Sequence, residues 1–432
     1  MRGNPAFSVL AALGLGAVFW LPLVTVAPNR LVSGQGVSLW QTGQTVLVGE
    51  AWQSWQMGSL STHTPGSLGP IQIQIQMLVV AILFTALLAL LAAMLLKPPR
   101  WAGAAVLVLA GLLMPGVLAL CGLYAGQVSE TQSSLARTAL GSAFWVVTLV
   151  LWLAVMDALH RMQAGLALRA TVWTGIGLCV LWLLASGHCD QLSLMKEYAN
   201  HADTFAGSVL RHLQIVVATL LPTLCIGLPL GWAINRSVSL QQWLLPPLNI
   251  IQTVPSIALF GLLMVPLAWL AGMWPTLASW GVSGIGMAPA VVALTLYSLL
   301  PVVRGTQAGL AQVPAAVLEA ARGMGMSARQ IFWSAQLPLA APVILAGVRT
   351  ATIQTVGLAA VAALIGAGGL GAIMFDGLFG SAQDLVLLGV LPIVGLAVLL
   401  DLAFALLARW AQPATMGKPS GTSSEMLSGA RA

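Results

Sequence analysis

The sequence predicts an all-α integral membrane protein of about ten transmembrane helices, and three observations carry that prediction. Hydrophobic residues make up 59% of the chain and charged ones only 6%, against about 25% charged in an ordinary soluble domain. Apolar runs close to the roughly 20 residues that a helix needs to cross a bilayer recur along the whole length. Basic residues gather on alternate connections between those runs.

The first run, near 7–27, follows Met1-Arg2 and ends in Thr25-Val26-Ala27 with no clean small-x-small site. It reads as an uncleaved anchor rather than a secretory signal. Runs near 76–96, 102–124, 140–158 and 170–187 complete a first set of five, and a second five follows near 212–234, 244–267, 288–303, 342–365 and 385–408. Ten spans put both termini on one side. With that side taken as the cytoplasm, the inner segments hold twelve basic residues: Arg2, Lys97, Arg100, Arg161, Arg169, Arg236, Arg304, Arg322, Arg329, Arg409, Lys418 and Arg431. The outer ones hold four, Arg30, Arg137, Lys196 and Arg211, and Arg349 falls inside a span. That is the positive-inside asymmetry, so the net charge of +6 needs no nucleic acid to explain it.

Two polar outer segments, 28–75 and 188–211, divide the chain, and the second leaves five spans on each side. The expected organisation is an accessory membrane domain at 1–205, a core domain at 206–410 and a disordered tail at 411–432. No sequence repeat relates the halves. Of the four cysteines only Cys189 lies in an expected loop, so no disulfide framework follows. The five histidines have no metal-ligand spacing, although His188, Cys189 and Asp190 are adjacent. Trp20, Trp40, Trp101, Trp173, Trp243, Trp274 and Trp410 sit near span ends, where an aromatic belt puts them.

The longest inner connection, 304–341, is not plain. Pro314 suits a helix start, and good helix formers follow until Gly323-Met324-Gly325 interrupts them. Ser327 stands three residues before Gln330, a capping-box spacing that starts a second helix. This helix carries Ile331, Phe332 and Trp333 and is expected to stop near Leu337-Pro338, with Pro342 admitting the next span. On local physics alone the stretch fits equally well an interfacial helix anchored by Trp333 and Arg329.

The order Glu319-Ala320-Ala321, Gly325, Leu337-Pro338 resembles the cytoplasmic signature of binding-protein-dependent ABC importer permeases. Ala335 departs from it, since the family usually has isoleucine there. NIIQTVPSIALFGLL (249–263), LYSLLPVVRGTQAGL (296–310), LPLAAPVILAGVRTATI (337–353) and AALIGAGGLG (362–371) look like the glycine betaine, carnitine and choline branch. The resemblance covers roughly 206–410. It implies a type I importer permease core of five spans preceded by five accessory spans, in the cytoplasmic membrane of a bacterium. It also implies that segment 312–341, with Glu319, Ala320, Ala321, Arg322, Gly323, Gly325, Leu337 and Pro338, is a coupling helix seated on a cytoplasmic ATPase dimer. The implied partners are that ATPase, which carries ATP-Mg, a solute-binding protein outside the cell, and a second permease subunit.

No lysine here stands in a G-x-x-x-x-G-K-[ST] loop, so this chain is not the ATPase, and no catalytic site or bound cofactor is assigned. Polar or helix-breaking residues inside spans mark a candidate translocation path: Gln252, Thr253, Pro255 and Ser256, then Tyr297 with Ser298 and Pro301, then Gln354 and Thr355 with Thr350 and Thr352. Ser, Thr and Gln also serve as interhelical glue. Ile365 to Gly371, with Gly366, Gly368, Gly369 and Gly371, is expected to form a re-entrant turn near an external gate. Arg349 and Asp401, each seven residues from a span's inner end, share a depth and are expected to pair. The alternative is that Arg349 snorkels to the headgroups and Asp401 bonds a neighbouring hydroxyl. Other readings of function are an ion-coupled secondary transporter, which would show repeats and a central acid, an ABC permease for another small polar solute, or a membrane scaffold.

Overall fold

A computed structural model describes residues 20–29, 34–39, 41–42, 102–131, 135–279 and 281–410. The expected span at 76–96, most of that at 7–27 and the tail from 411 lie outside the described residues. The chain divides into two compact units, Met1–Asn200 and His201–Ala432. Among the described residues, eight helices are long and apolar enough to cross a membrane.

In the first unit, the end of the first expected span is not helical. Pro22–Ala27 is a strand, β1, lying between β2 (Gln35–Ser38) and β3 (Arg137–Leu140) and antiparallel to both. The cause is local: Pro22 has no N–H to give and suits a strand's first residue, while Val24, Thr25 and Val26 are β-branched. Leu23 and Val24 are fully buried. Two long helices, α1 (Ala102–Thr131) and α2 (Ser142–Arg161), supply most of the rest of this core, through residues such as Ala110, Cys121, Leu151 and Ala154. A third, α3 (Leu166–Ala185), meets α2 where the Trp152 and Trp173 rings stand 4.5 Å apart. The short α4 (Ser193–Asn200) closes on β3: Glu197, 2% exposed, lies 3.4 Å from Arg137, and Lys196 Nζ donates to Ala136 O at 3.0 Å.

The second unit opens with α5 (Ala202–Arg236). The run expected at 244–267 is two helices, α6 (Val238–Thr253) and α7 (Ser256–Met273), joined by extended backbone at Val254 and Pro255 with ψ of 131° and 136°. Pro255 bars the residue before it from helical geometry, so the break falls there. After the short α8 (Pro275–Ser279) come α9 (Met287–Ala311), α10 (Ala315–Gly323), α11 (Ala328–Ile331), α12 (Leu337–Val361), α13 (Leu370–Phe379) and α14 (Gln383–Trp410). The apolar α13 was not expected from the sequence.

Small residues set the packing. A methyl at Gly227 would lie 2.9 Å from Val302 Cγ1 and one at Gly231 2.6 Å from Thr306 Cβ, so α5 and α9 run parallel. A methyl on Gly305 would lie 2.7 Å from Gly347 Cα and one on Gly309 2.8 Å from Ala340 O, so α12 runs antiparallel to α9. Close backbone approach of this kind is how helices hold together where lipid offers no hydrophobic drive. Because α5 and α9 are parallel, α6 and α7 together must carry the chain back to the end where α5 began.

Candidate functional site

Segment 312–341 is built from two defined helix ends. Pro314 caps α10 with ψ 133°. At the other end Met326 N donates to Ala321 O at 3.2 Å and Gly325 N to Arg322 O at 2.9 Å, with Gly325 at φ +79°. This is a Schellman cap, which asks for a left-handed residue where Gly325 stands. Ser327 and Gln330 then form both bonds of the capping box: Gln330 Oε1 accepts from Ser327 N at 2.8 Å and Ser327 Oγ from Gln330 N at 3.4 Å. Ala321 is 3% exposed and turns inward, whereas Glu319, Ala320, Arg322 and Gly323 are exposed and Met324 is 75% exposed. Nothing lies within 4 Å of a methyl placed on Gly323 or Gly325.

The second helix does not stop at Leu337-Pro338. Phe332–Gln336 is a π-helical turn, Leu337 N donates back to Phe332 O, and the helix runs on from Ala328 to Ile365. The wider turn moves the bonding register so that Pro338 enters the first turn of α12, where its missing N–H breaks no bond. Phe332 packs against the buried cluster of Leu310, Val313 and Ala340. It also meets Trp232, ring centroids 6.3 Å apart, and Arg236 lies 4.2 Å over the Trp232 ring.

The path candidates separate into contacts. Gln252 Nε2 donates to Tyr297 O at 2.5 Å, and the Tyr297 hydroxyl donates to Val254 O. Tyr297, 4% exposed, thus clamps the Val254-Pro255 break to α9. Ser298 Oγ and Thr355 Oγ1 meet at 2.7 Å between α9 and α12. Thr253 is exposed and bonds its own helix at Ile250 O, while Ser256 and Gln354 are half-buried. Two polar contacts escaped the sequence reading: Arg304 donates to Asn249 Oδ1 at 2.7 Å, and Thr223 Oγ1 donates to Thr219 O at 2.7 Å. Neither has a motif: the first depends on which helices become neighbours, and the second is an i→i−4 bond within α5.

The four glycines of 366–371 answer different demands. Gly366, Gly368 and Gly369 have φ of +79°, +78° and +83°, conformations open mainly to glycine. Gly371 lies inside α13, not in the turn, and a methyl there would stand 2.0 Å from Ala360 O. The turn is held from α5: Arg211 Nε donates to Ala367 O at 3.0 Å, and a methyl on Gly369 would lie 3.2 Å from His212 Cα. His212 Nε2 lies 3.2 Å from Val356 O, which requires the tautomer protonated at Nε2. Gly286 N donates to Ile365 O at 2.8 Å and ties in the start of α9.

Arg349 and Asp401 meet as a two-pronged pair, Nε to Oδ1 at 2.6 Å and Nη2 to Oδ2 at 2.7 Å, joining α12 to α14. The planar guanidinium matches a carboxylate in this geometry.

Residues 224–414 match the family model of binding-protein-dependent transport system inner membrane components. Residues 4–65 and 69–195 match that of the ABC transporter permease YehY, N-terminal domain. The osmoprotectant import permease protein OsmW of Salmonella typhimurium is 41% identical over 49% of this chain and 92% of its own length. The glycine betaine/carnitine/choline transport system permease protein OpuCD of Bacillus subtilis is 35% identical over 51% of this chain and 92% of that protein. A solved structure of the MetNI methionine ABC transporter in inward facing conformation aligns with 50% of this chain and 99% of that one, at 23% identity and a TM-score of 0.44. With a relative this similar covered nearly end to end, the chain belongs to the family of binding-protein-dependent ABC transport permeases, in its osmoprotectant branch.

Proposed function

We propose that this permease carries osmoprotectants of the glycine betaine and choline type into a bacterial cell, driven by a separate ATPase dimer that binds ATP-Mg and supplied by a solute-binding protein. Segment 312–341 is the surface on which that ATPase sits, and residues 206–410 form the translocating core beside a second permease subunit. Residues 1–205 form an accessory membrane domain. The protein lies in the cytoplasmic membrane with both termini inside. Gln252, Thr253, Pro255, Ser256, Tyr297, Gln354 and Thr355 border the solute path, Gly366 to Gly371 form its external gate, and Arg349 with Asp401 braces α12 against α14.

One observation carries this reading. Segment 312–341 has capped, rigid ends and an exposed glycine turn with open space around it, yet it continues without a break into a membrane-crossing helix. A rigid surface element fused to a span is what transmission from a soluble motor requires. Gly325→Arg tests it in the reconstituted complex. Insertion and solute-binding-protein affinity stay normal, while ATP-driven glycine betaine uptake is lost, because a long charged side chain fills the turn. Normal uptake by that variant sinks the docking assignment.

A further inference from the structure

Continuity from α11 into α12 is one route from segment 312–341 into the membrane. A second begins at the same residue. The Phe332 ring, on the first residue of the π-helical turn, stands close to perpendicular to the Trp232 ring, at an interplanar angle of 77°. Trp232 is not on the segment; it lies one turn from the end of α5, and the Arg236 guanidinium stands over its ring at 4.2 Å from the centroid. The whole of α5 is 35 residues long, about 50 Å. In its first third, about 30 Å from Trp232, it holds Arg211 on Ala367 O and His212 against Gly369.

The same helix therefore touches the docking segment near its last turn and the glycine turn from its first third. Pro222 and Pro229 each remove a bond from α5, which by itself would soften it. The α9 seam lies over that stretch: Gly227 and Gly231 leave no room for even a methyl against Val302 and Thr306. Packed elements with no slack shift as a body rather than deform. We infer that Trp232 is a positioning residue for transport, passing displacement of Phe332 into the α5–α9 pair, which delivers it through Arg211 and His212 to the Gly366–Gly371 turn. The inference rests on the docking role given above to segment 312–341.

Spatial continuity alone does not establish coupling, so the test reads the far end directly. The complex of permease, ATPase and binding protein is reconstituted in lipid, with the four native cysteines replaced and Ala367→Cys introduced. Its reaction with a membrane-impermeant maleimide is timed without nucleotide and with ATP bound to a hydrolysis-deficient ATPase. The rate is expected to differ about fivefold between the two states. Trp232→Leu abolishes the difference while ATPase co-purification is unchanged, and Trp232→Phe, which keeps a ring against Phe332, restores it. Arg236→Gln lowers it about twofold, the size of one exposed cation–π contact. If Trp232→Leu does not assemble, Phe332→Leu is read by the same criterion. A difference that persists in the assembled leucine variant overturns the α5 route and leaves the docking role standing. No difference in the parent Ala367→Cys complex overturns both.

Discussion

Glycines mark both ends of the second unit, and they are there for opposite reasons. At the 366–371 end the chain itself demands them: three have left-handed backbone, Gly369 is pressed against His212, and Gly371 against Ala360 O. In segment 312–341 the demand from within the chain is slight. Gly325 needs its left-handed φ to close the Schellman cap, but no atom crowds it, and Gly323 has an ordinary helical position with open space around it. A glycine that its own protein does not need is best explained by something that approaches from outside. The contrast separates a turn made to be packed from a turn made to be met.

Substitutions can break that contrast. The largest effect is expected from Gly371→Ala, because the atom in the way is a backbone carbonyl 2.0 Å off and cannot rotate aside. Folding should weaken by about 4 kcal/mol or more, seen as loss of a cooperative thermal transition in detergent; an unchanged midpoint would refute the packing argument. Next comes Asp401→Asn, which strands Arg349 between the two ends at a cost of about 3 kcal/mol on insertion scales. Arg349→Gln on top of it should recover most of the lost stability, and failure to recover would show that the pair is more than a brace.

Smaller effects sharpen the other side. Gly325→Ala should cost about 1 kcal/mol for a left-handed alanine, read as a modest drop in midpoint with the complex still formed. Smallest for the fold is Gly323→Ala, which should be neutral or stabilising by up to about 1 kcal/mol, since alanine favours a helix and nothing crowds it. If uptake by that variant falls while stability rises, the glycine serves a partner. If both stay level, Gly323 serves nothing that these measurements can see.

Features written in local spacing were legible in the sequence. Ser327 and Gln330 stand three apart, and the capping box forms from that spacing alone. Arg349 and Asp401 were placed at one depth on consecutive spans, and their side chains meet. The eight membrane-length helices of the described residues correspond to apolar runs. What hydropathy does not encode is conformation inside an apolar run. Pro22–Ala27 is as greasy as a helix yet pairs as a strand, and Val254-Pro255 splits a run that counts as one. The clasp of Phe332 on Trp232 joins residues 100 positions apart, and no periodicity announces it. Among the path candidates, polarity points to Tyr297 and Gln252, but that Gln252 bonds the Tyr297 carbonyl and the Tyr297 hydroxyl the Val254 carbonyl depends on helix neighbours that the sequence leaves open.

The π-helical turn at Phe332–Gln336 sets an angular phase. Each residue of an α-helix advances the side chains by about 100°, so one extra residue taken up in a wide turn rotates everything before it by that angle relative to everything after it. The face that α11 presents is therefore set independently of the face that α12 turns to α9 and α14. Deleting Ala335 would restore an unbroken α-helix and swing the exposed segment about a quarter turn around the span, leaving Arg349, Thr352 and Thr355 where they are. The wide turn works as an angular offset, letting one continuous helix aim its two halves at surfaces that do not line up.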